Sequence, residues 1–272
     1  MNHTPLHKFF IFNGELRPNA RFKTSENSGG VYEVLRVVEG IPLFLEEHLD
    51  RFYFSAGLAG KKITFSPDQI TAFLDLLIQE NGILEGNILM SCKANLKVLF
   101  IRHNYPNPFL YEEGVCCSLL HAERSQPNAK VFQSPVRQQA DALIEKEGCF
   151  EVLLIDHLGR ITEGSRSNIF FVTDNQLITP PGDEVLLGIT RQKAIQIASH
   201  SGITCREEEV WLKDIHRSQA AFITGTSPKI LPLSRIGEWR MNPRHSLVQR
   251  MRKKYDEIIV DYIRSHKEKG GD

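Results

Sequence analysis

Nothing in this chain approaches the roughly 20 consecutive apolar residues that a membrane-spanning helix needs, so no such helix is expected. The run Phe9-Phe10-Ile11-Phe12 is closed at once by Asn13-Gly14; it is too short for a signal-peptide core and reads as a strand and a turn. Cysteine is scarce and unpatterned. Cys92, Cys116, Cys117, Cys149 and Cys205 are odd in number and include no Cys-x-x-Cys pair, which points to reduced thiols in the cytoplasm rather than a disulfide framework. The ten histidines show no His-Glu-x-x-His or comparable ligand spacing, so no metal site is expected. An excess of charge is missing too: 33 Lys and Arg balance 33 Asp and Glu, which removes the electrostatic footprint of a nucleic-acid or anionic-membrane partner. No Gly-x-x-x-x-Gly-Lys or Gly-x-Gly-x-x-Gly follows a strand, which disfavours a nucleotide site at Gly188-Ile189-Thr190.

What is present is a soluble globular composition, 41% hydrophobic and 24% charged, in a chain of 272 residues long enough for one large domain or two ordinary ones. Strands and helices alternate without a strict βαβ rhythm. Phe9 to Phe12 and the Val-rich Val31 to Val38 read as strands, the second with Tyr32 and Glu33 inside it. Leu45, Leu49, Phe52 and Ala56 recur at helical spacing, as do Ile70, Phe73, Leu74 and Leu77 in a helix with Ser66 as N-cap and Pro67 as first residue. After strands Asn87 to Cys92 and Leu96 to Ile101, the stretch Asn104-Tyr105-Pro106-Asn107-Pro108 is the best candidate for a domain boundary. Beyond it come strand Val115 to Leu120, a helix from Pro135 to Lys146, and hairpin strands Glu151 to Ile155, Asn168 to Val172 and Gln176 to Ile178. Helix Thr190 to His200, strand Ala220 to Thr224 and a helix through Leu247, Met251, Tyr255 and Tyr262 follow. The tail Lys267 to Asp272 reads as frayed.

The most informative feature is Thr162-Glu163-Gly164-Ser165-Arg166-Ser167-Asn168, followed later by Gly188-Ile189-Thr190-Arg191. The first sets a carboxylate before a glycine between apolar strands. The second opens a helix with Thr190 at the N-cap position and Arg191 and Lys193 in the first turn, where cations oppose the helix dipole. An anion held by the exposed backbone N–H groups would remove that penalty; a capped helix with solvated basic residues is the simpler account of the segment taken alone. Glu163 is either a turn acid in water or a partner for a cationic nitrogen. Thr224-Gly225-Thr226-Ser227 is either a plain turn or a small anion nest. Arg51 has Glu47 one turn earlier, so a surface ion pair is the default. Lys130, between a turn and Val131-Phe132, is either a snorkelling surface lysine or a desolvated amine nucleophile.

Taken in chain order, these segments resemble the class IV (fold-type IV) aminotransferases, the pyridoxal 5′-phosphate (PLP) group that includes branched-chain aminotransferases, D-amino acid aminotransferases and aminodeoxychorismate lyases. The likeness runs from Phe10 to about Trp239 and is densest at Gly30-Val31-Tyr32-Glu33-Val34-Leu35-Arg36, Leu45-Glu46-Glu47-His48-Leu49-Asp50-Arg51, Glu151 to Val172 and Leu187-Gly188-Ile189-Thr190-Arg191. It implies an α+β fold of the D-amino acid aminotransferase-like type: two mixed α/β domains, 1–108 and 114–272 with a linker about 104–113, and the cofactor at their interface. Lys130 stands where the family's Schiff-base lysine stands, and Glu163 matches the carboxylate that pairs with the pyridine nitrogen. Arg51, the backbone of Ile189 and Thr190, and Thr226 match the phosphate cup. Tyr32 matches a tyrosine facing the substrate, and Thr226–Ser227 match the turn that receives a substrate carboxylate.

Two departures bear on the substrate. The family often has Asn-Tyr or Asn-Leu downstream of its lysine, whereas this chain has Phe132-Gln133-Ser134. The Tyr-x-Arg of branched-chain enzymes and the arginine of D-amino acid enzymes are both absent from Asn87-Ile88-Leu89-Met90-Ser91-Cys92, and the following loop is short. The resemblance therefore implies a cytoplasmic PLP-dependent transaminase, homodimeric, acting on an amino acid and a 2-oxo acid with a branched-chain-like substrate. Aminodeoxychorismate lyase, a β-elimination releasing pyruvate, is the alternative on the same scaffold. A non-catalytic PLP-binding scaffold is a remote third, since neither the lysine nor the ring carboxylate is lost.

Overall fold

The structure, a computed structural model, describes residues 3–24, 29–132 and 135–269. The chain divides into two compact units. The first comprises Met1–Asn104, Ala129–Gln133 and Ile259–Asp272, the second Tyr105–Asn128 and Ser134–Ile258. It is a mixed α/β protein with one sheet of six strands and one of ten.

The first unit contains β1 (Phe9–Phe12), β2 (Glu15–Pro18), β3 (Val31–Val38), β4 (Ile41–Pro42), α1 (Leu45–Leu58), α2 (Pro67–Asn81), β5 (Gly86–Cys92) and β6 (Leu96–Ile101). Its strands lie in the order β2-β1-β6-β5-β3-β4, every pair antiparallel. β3 alternates strictly between buried and half-buried residues, the period-two pattern of a strand with one face on a core. That face, with Val31, Leu35, Ile88, Met90 and Val98, packs on Leu49, Phe52 and Ala56 of α1 and Leu74 and Leu77 of α2. Full burial of each such side chain contributes roughly 1.5–3 kcal/mol. Ser66 caps α2 in a complete capping box with Gln69, and Pro67 supplies the first helical residue.

Two segments distant in sequence join this unit for visible reasons. Val131 forms an isolated antiparallel bridge with Val31, and the Tyr32 N–H donates to the Lys130 carbonyl at 3.0 Å, so this segment lies along the start of β3. The Tyr262 hydroxyl accepts the Leu45 N–H at 3.0 Å and donates to Glu46 at 2.8 Å, satisfying an amide at the head of α1, whose own N-cap Phe44 provides no side-chain acceptor.

The second unit holds α3 (Pro108–Glu113), β7 (Val115–His121), α4 (Pro135–Glu147), β8 (Glu151–Ile155), β9 (Arg160–Gly164), β10 (Asn168–Thr173), β11 (Gln176–Thr179), α5 (Ile189–His200), β12 (Cys205–Glu207), β13 (Val210–Trp211), β14 (Ala220–Gly225), β15 (Lys229–Ile236) and β16 (Trp239–Arg240). It also holds the first half of α6 (Ser246–Lys269). Its strand order is β12-β11-β10-β14-β15-β7-β8-β9-β13, with β16 on β15. The pairs β11–β12, β15–β7 and β7–β8 are parallel, which requires crossovers such as α4. Ile169, Phe171, Ala221, Ile223, Leu231 and Leu233 form the middle of its core.

Three expectations need adjusting. Pro108–Glu113, inside the stretch read as linker, is helix, because the Asn107 side chain accepts the Leu110 N–H and Pro108 opens the first turn. α6 continues through Lys267 to Lys269 instead of fraying from Lys267, and Lys267 pairs with Glu39; residues 270–272 lie outside those described. α5 begins at Ile189 with Gly188 as N-cap, so Thr190 is not the cap. The Asn168 side chain accounts for this: it donates to the Leu186 carbonyl at 2.8 Å and fills the space a Cβ at residue 188 would need.

Gly114 provides a test of the join between α3 and β7. Its φ is +70°, and a Cβ there would lie 2.8 Å from the Ser234 amide nitrogen and from Pro243. Gly148 has φ +64° with nothing within 4 Å. Gly148→Ala is expected to cost about 1–2 kcal/mol from the left-handed backbone alone, and Gly114→Ala about 1–3 kcal/mol more from overpacking. Urea unfolding of both variants checks the order; equal losses would contradict it.

Candidate active site

In the first unit, β3 carries an acid on the face that α1 covers. Glu33 is fully buried, so its charge must be matched by neighbours. Arg51 grips it with Nε on Oε1 and Nη2 on Oε2, both at 2.7 Å, and His48 Nδ1 meets Oε2 at 2.8 Å. Arg51 is only 9% exposed. Beyond the surface pairing expected with Glu47, Arg51 enters a buried one, because α1 turns residues 48, 51, 52 and 55 inward. Burial alone would raise the Glu33 carboxyl, but the charge and hydrogen bonds of Arg51, with His48, outweigh it and bring it down to about 2. His48 is lowered, first by burial, with the charges of Arg51 and Lys130 opposing the Glu33 bond.

Lys130 sits one step away. Its N–H donates to Ser55 Oγ at 3.1 Å, and its Nζ lies 4.8 Å from the centre of the Tyr32 ring. That ring stacks on Phe132 at 4.3 Å. Tyr32, Arg51 and Lys130 thus belong to one small region, where an amine rests against an aromatic face above a buried ionic cluster. Gln133 and Ser134, which stand where the family often has a tyrosine, lie outside the described residues.

In the second unit, Glu163 is the penultimate residue of β9 and 3% exposed. Its Oε1 accepts from Arg124 Nη1 at 2.9 Å and its Oε2 from the Leu186 N–H at 3.1 Å. The tight turn after it is built on a second buried acid. Glu151 accepts from Ser165 Oγ (2.7 Å), Ser167 Oγ (2.9 Å), the Arg166 N–H (3.2 Å) and the Val152 N–H (2.8 Å). A side chain at Gly164 would collide with Ser167 Oγ, so glycine is required there. The Ser-x-Ser spacing in Ser165-Arg166-Ser167 is the available signal for this turn, but its acceptor lies fourteen residues upstream of Ser165.

Ile189 and Thr190 form the start of α5, which has no side-chain N-cap hydrogen bond among the described residues and no acid in its first turn. Arg191, expected to oppose the dipole there, instead swings away and is buried on Glu207 at 2.7 Å and the Pro180 carbonyl at 2.9 Å. The Thr190 hydroxyl lies 3.3 Å from the Tyr255 hydroxyl. Asn168, beside Gly188, pairs across the sheet with Thr224, so both side chains point to one face. Thr224 is 1% exposed and its hydroxyl has no hydrogen-bond partner among the described residues. Two residues on, Thr226 and Ser227 occupy the half-buried turn between β14 and β15. An uncapped helix start and an unsatisfied buried hydroxyl on the neighbouring face form a donor set suited to a phosphate. The buried acid Glu163 in the same unit, paired with Arg124, suits a protonated ring nitrogen.

A family model for class IV amino-transferases matches residues 30–236. A probable branched-chain-amino-acid aminotransferase of Rickettsia felis is 31% identical over 252 residues, covering 85% of this chain and 87% of that protein. A D-alanine aminotransferase of Listeria innocua is 28% identical over 228 residues, covering 76% and 78%. Among solved structures, a branched-chain amino acid aminotransferase from T.th. with pyridoxamine 5′-phosphate superposes with a TM-score of 0.84 at 25% identity, covering 95% of this chain and 96% of that one.

The Glu33 cluster generates a pH dependence. Both Glu33 and His48 bind protons less readily in the folded protein than in the unfolded chain, so acid favours unfolding. Their contribution is full above His48's ordinary 6.5, falls as pH drops below that, and falls again below Glu33's ordinary 4.5 until it is spent near 2. Glu33→Gln is expected to lose about 3–5 kcal/mol at neutral pH by stranding Arg51, and to flatten the acid limb. Urea unfolding between pH 7 and pH 2 measures both; a slope below pH 4.5 unchanged by the substitution would refute the assignment.

Proposed function

The chain belongs to the amino-transferase class IV family, and from that premise we propose a PLP-dependent transaminase that moves an amino group between an amino acid and a 2-oxo acid, with branched-chain side chains preferred. The observation that carries the cofactor assignment is the head of α5: among the described residues it has no side-chain cap and no acid in its first turn, and the Thr224 hydroxyl beside it has no hydrogen-bond partner. The side-chain preference rests on the 31% identity to the Rickettsia felis protein and on the likeness to the T.th. enzyme.

Bound PLP supplies an electron sink for the charge left when the substrate Cα loses its proton. The chain's own residues do the rest. Lys130 would hold the cofactor through its ε-amine, and that amine would take the proton from the substrate Cα. The Tyr32 ring face, 4.8 Å from that amine, shields it from water. Glu163 keeps the ring nitrogen protonated. The backbone N–H groups of Ile189 and Thr190, with Arg51 and Thr226, would hold its phosphate. Tyr32 faces the substrate, and Thr226 and Ser227 receive its carboxylate.

The enzyme acts in the cytoplasm as a homodimer in this reading. Reduced cysteines support the compartment. Phe54 and Leu58, exposed one turn apart on α1, support burial against a second copy. No helix among the described residues is long and apolar enough to cross a membrane.

A half-reaction screen tests the activity. Purified protein mixed singly with L- and D-amino acids should lose its visible cofactor absorbance fastest with L-leucine, L-isoleucine or L-valine. Pyruvate release from aminodeoxychorismate without an amino acceptor would instead establish the lyase. Lys130→Ala should abolish turnover and the visible band together; a variant that kept both would remove Lys130 from this role.

A further inference from the structure

Glu163 is an acid held out of water before any ligand arrives, and its surroundings are specific. An ionised carboxylate can accept about four hydrogen bonds. Arg124 Nη1 takes one position on Oε1 at 2.9 Å, and the Leu186 N–H takes one on Oε2 at 3.1 Å. The Arg124 side chain is itself only 15% exposed, so water screens the pair weakly. Arg124 gets there because its segment prolongs the parallel pairing of β7 with β8: the Ala122 N–H still donates to the Ile155 carbonyl at 3.0 Å, and β9 lies on the far side of β8. The Leu186 amide arrives from the segment that Asn168 pins through the Leu186 carbonyl at 2.8 Å. The carboxylate is thus held from two directions.

We propose that Arg124 is a positioning residue for Glu163, holding the carboxylate ionised and in one rotamer so that the shared proton resides on the cofactor's ring nitrogen and not on the acid. This rests on the reading above that Glu163 meets that nitrogen. When an acid and a pyridine share one proton, the choice lies between a carboxylate with a pyridinium and a carboxylic acid with a neutral pyridine. A guanidinium in contact with the carboxylate stabilises the first state. It also repels the pyridinium, but from beyond the carboxylate and so more weakly, and the charged arrangement wins. Without Arg124 the same acid stays buried after losing the cation in contact with it, and the neutral arrangement becomes favoured. No bond is made or broken; only the position of one proton changes. Electron withdrawal by the ring depends on that position, so Arg124 governs the sink without touching the substrate.

The test uses holoenzyme loaded with PLP labelled with 15N at the ring nitrogen, read by NMR. The wild type should resonate in the pyridinium range. Arg124→Gln should move the signal toward neutral pyridine and reduce kcat with KM little changed, and Arg124→Lys should restore both, since it keeps the charge. Glu163→Gln is the control. If it leaves the signal unmoved, the reading of Glu163 itself fails. If it moves the signal and Arg124→Gln does not, the proposal for Arg124 is overturned while Glu163 keeps its role. Infrared difference spectra of the wild-type apoprotein against Glu163→Gln give a second measurement that needs no Arg124 variant. An ionised carboxylate band at neutral pH is expected; a protonated carboxyl band would overturn the proposal.

Discussion

A carboxylate taken out of water has to be met by cations or N–H and O–H donors, and three buried glutamates show how this protein meets that demand. Glu33, Glu151 and Glu163 are each 3% exposed or less. Glu33 is matched by Arg51 and His48 from a helix, Glu151 by two hydroxyls and two amides of its own neighbourhood, and Glu163 by a guanidinium and an amide from two separate segments. The three solutions differ in what they accomplish. Glu151 gathers local donors and shapes a turn. Glu33 orients the arginine and histidine of α1 beneath Lys130. Glu163 is fixed as an ion by donors that reach it from outside its own strand, which sets its charge and its rotamer together.

Anions are treated as carefully as acids. The head of α5 is bare because Arg191 is drawn away to Glu207 and because Asn168 occupies the space where a larger N-cap residue would stand. Thr224 waits on the same face with an unsatisfied hydroxyl. Buried polar groups without partners are costly and uncommon, so the Thr224 hydroxyl beside a helix start argues for a bound anion more strongly than the glycine pattern does.

The parts of the fold legible from sequence are those governed by local rules. The alternation of β3, the stripe of α1 and the Ser66-Pro67 start of α2 come through because periodicity and capping act within a few residues. Signals that need a distant partner come through poorly. Arg51 resembles a surface residue because Glu33, its true partner, is eighteen positions away on a strand. Thr190 resembles an N-cap because the side chain that makes Gly188 the cap belongs to Asn168 on another strand. The stretch 108–113 resembles linker, although Asn107 and Pro108 form an ordinary helix start.

Contiguous residues specify most of the elements and the family resemblance, since periodicity, capping and motif spacing are written locally. Packing alone settles which charges are compensated and by whom: Arg51 on Glu33, Arg124 on Glu163, Arg191 on Glu207. The reason is that electrostatic compensation depends on distance and on exclusion of water, and both arise only after the strands and helices have come together.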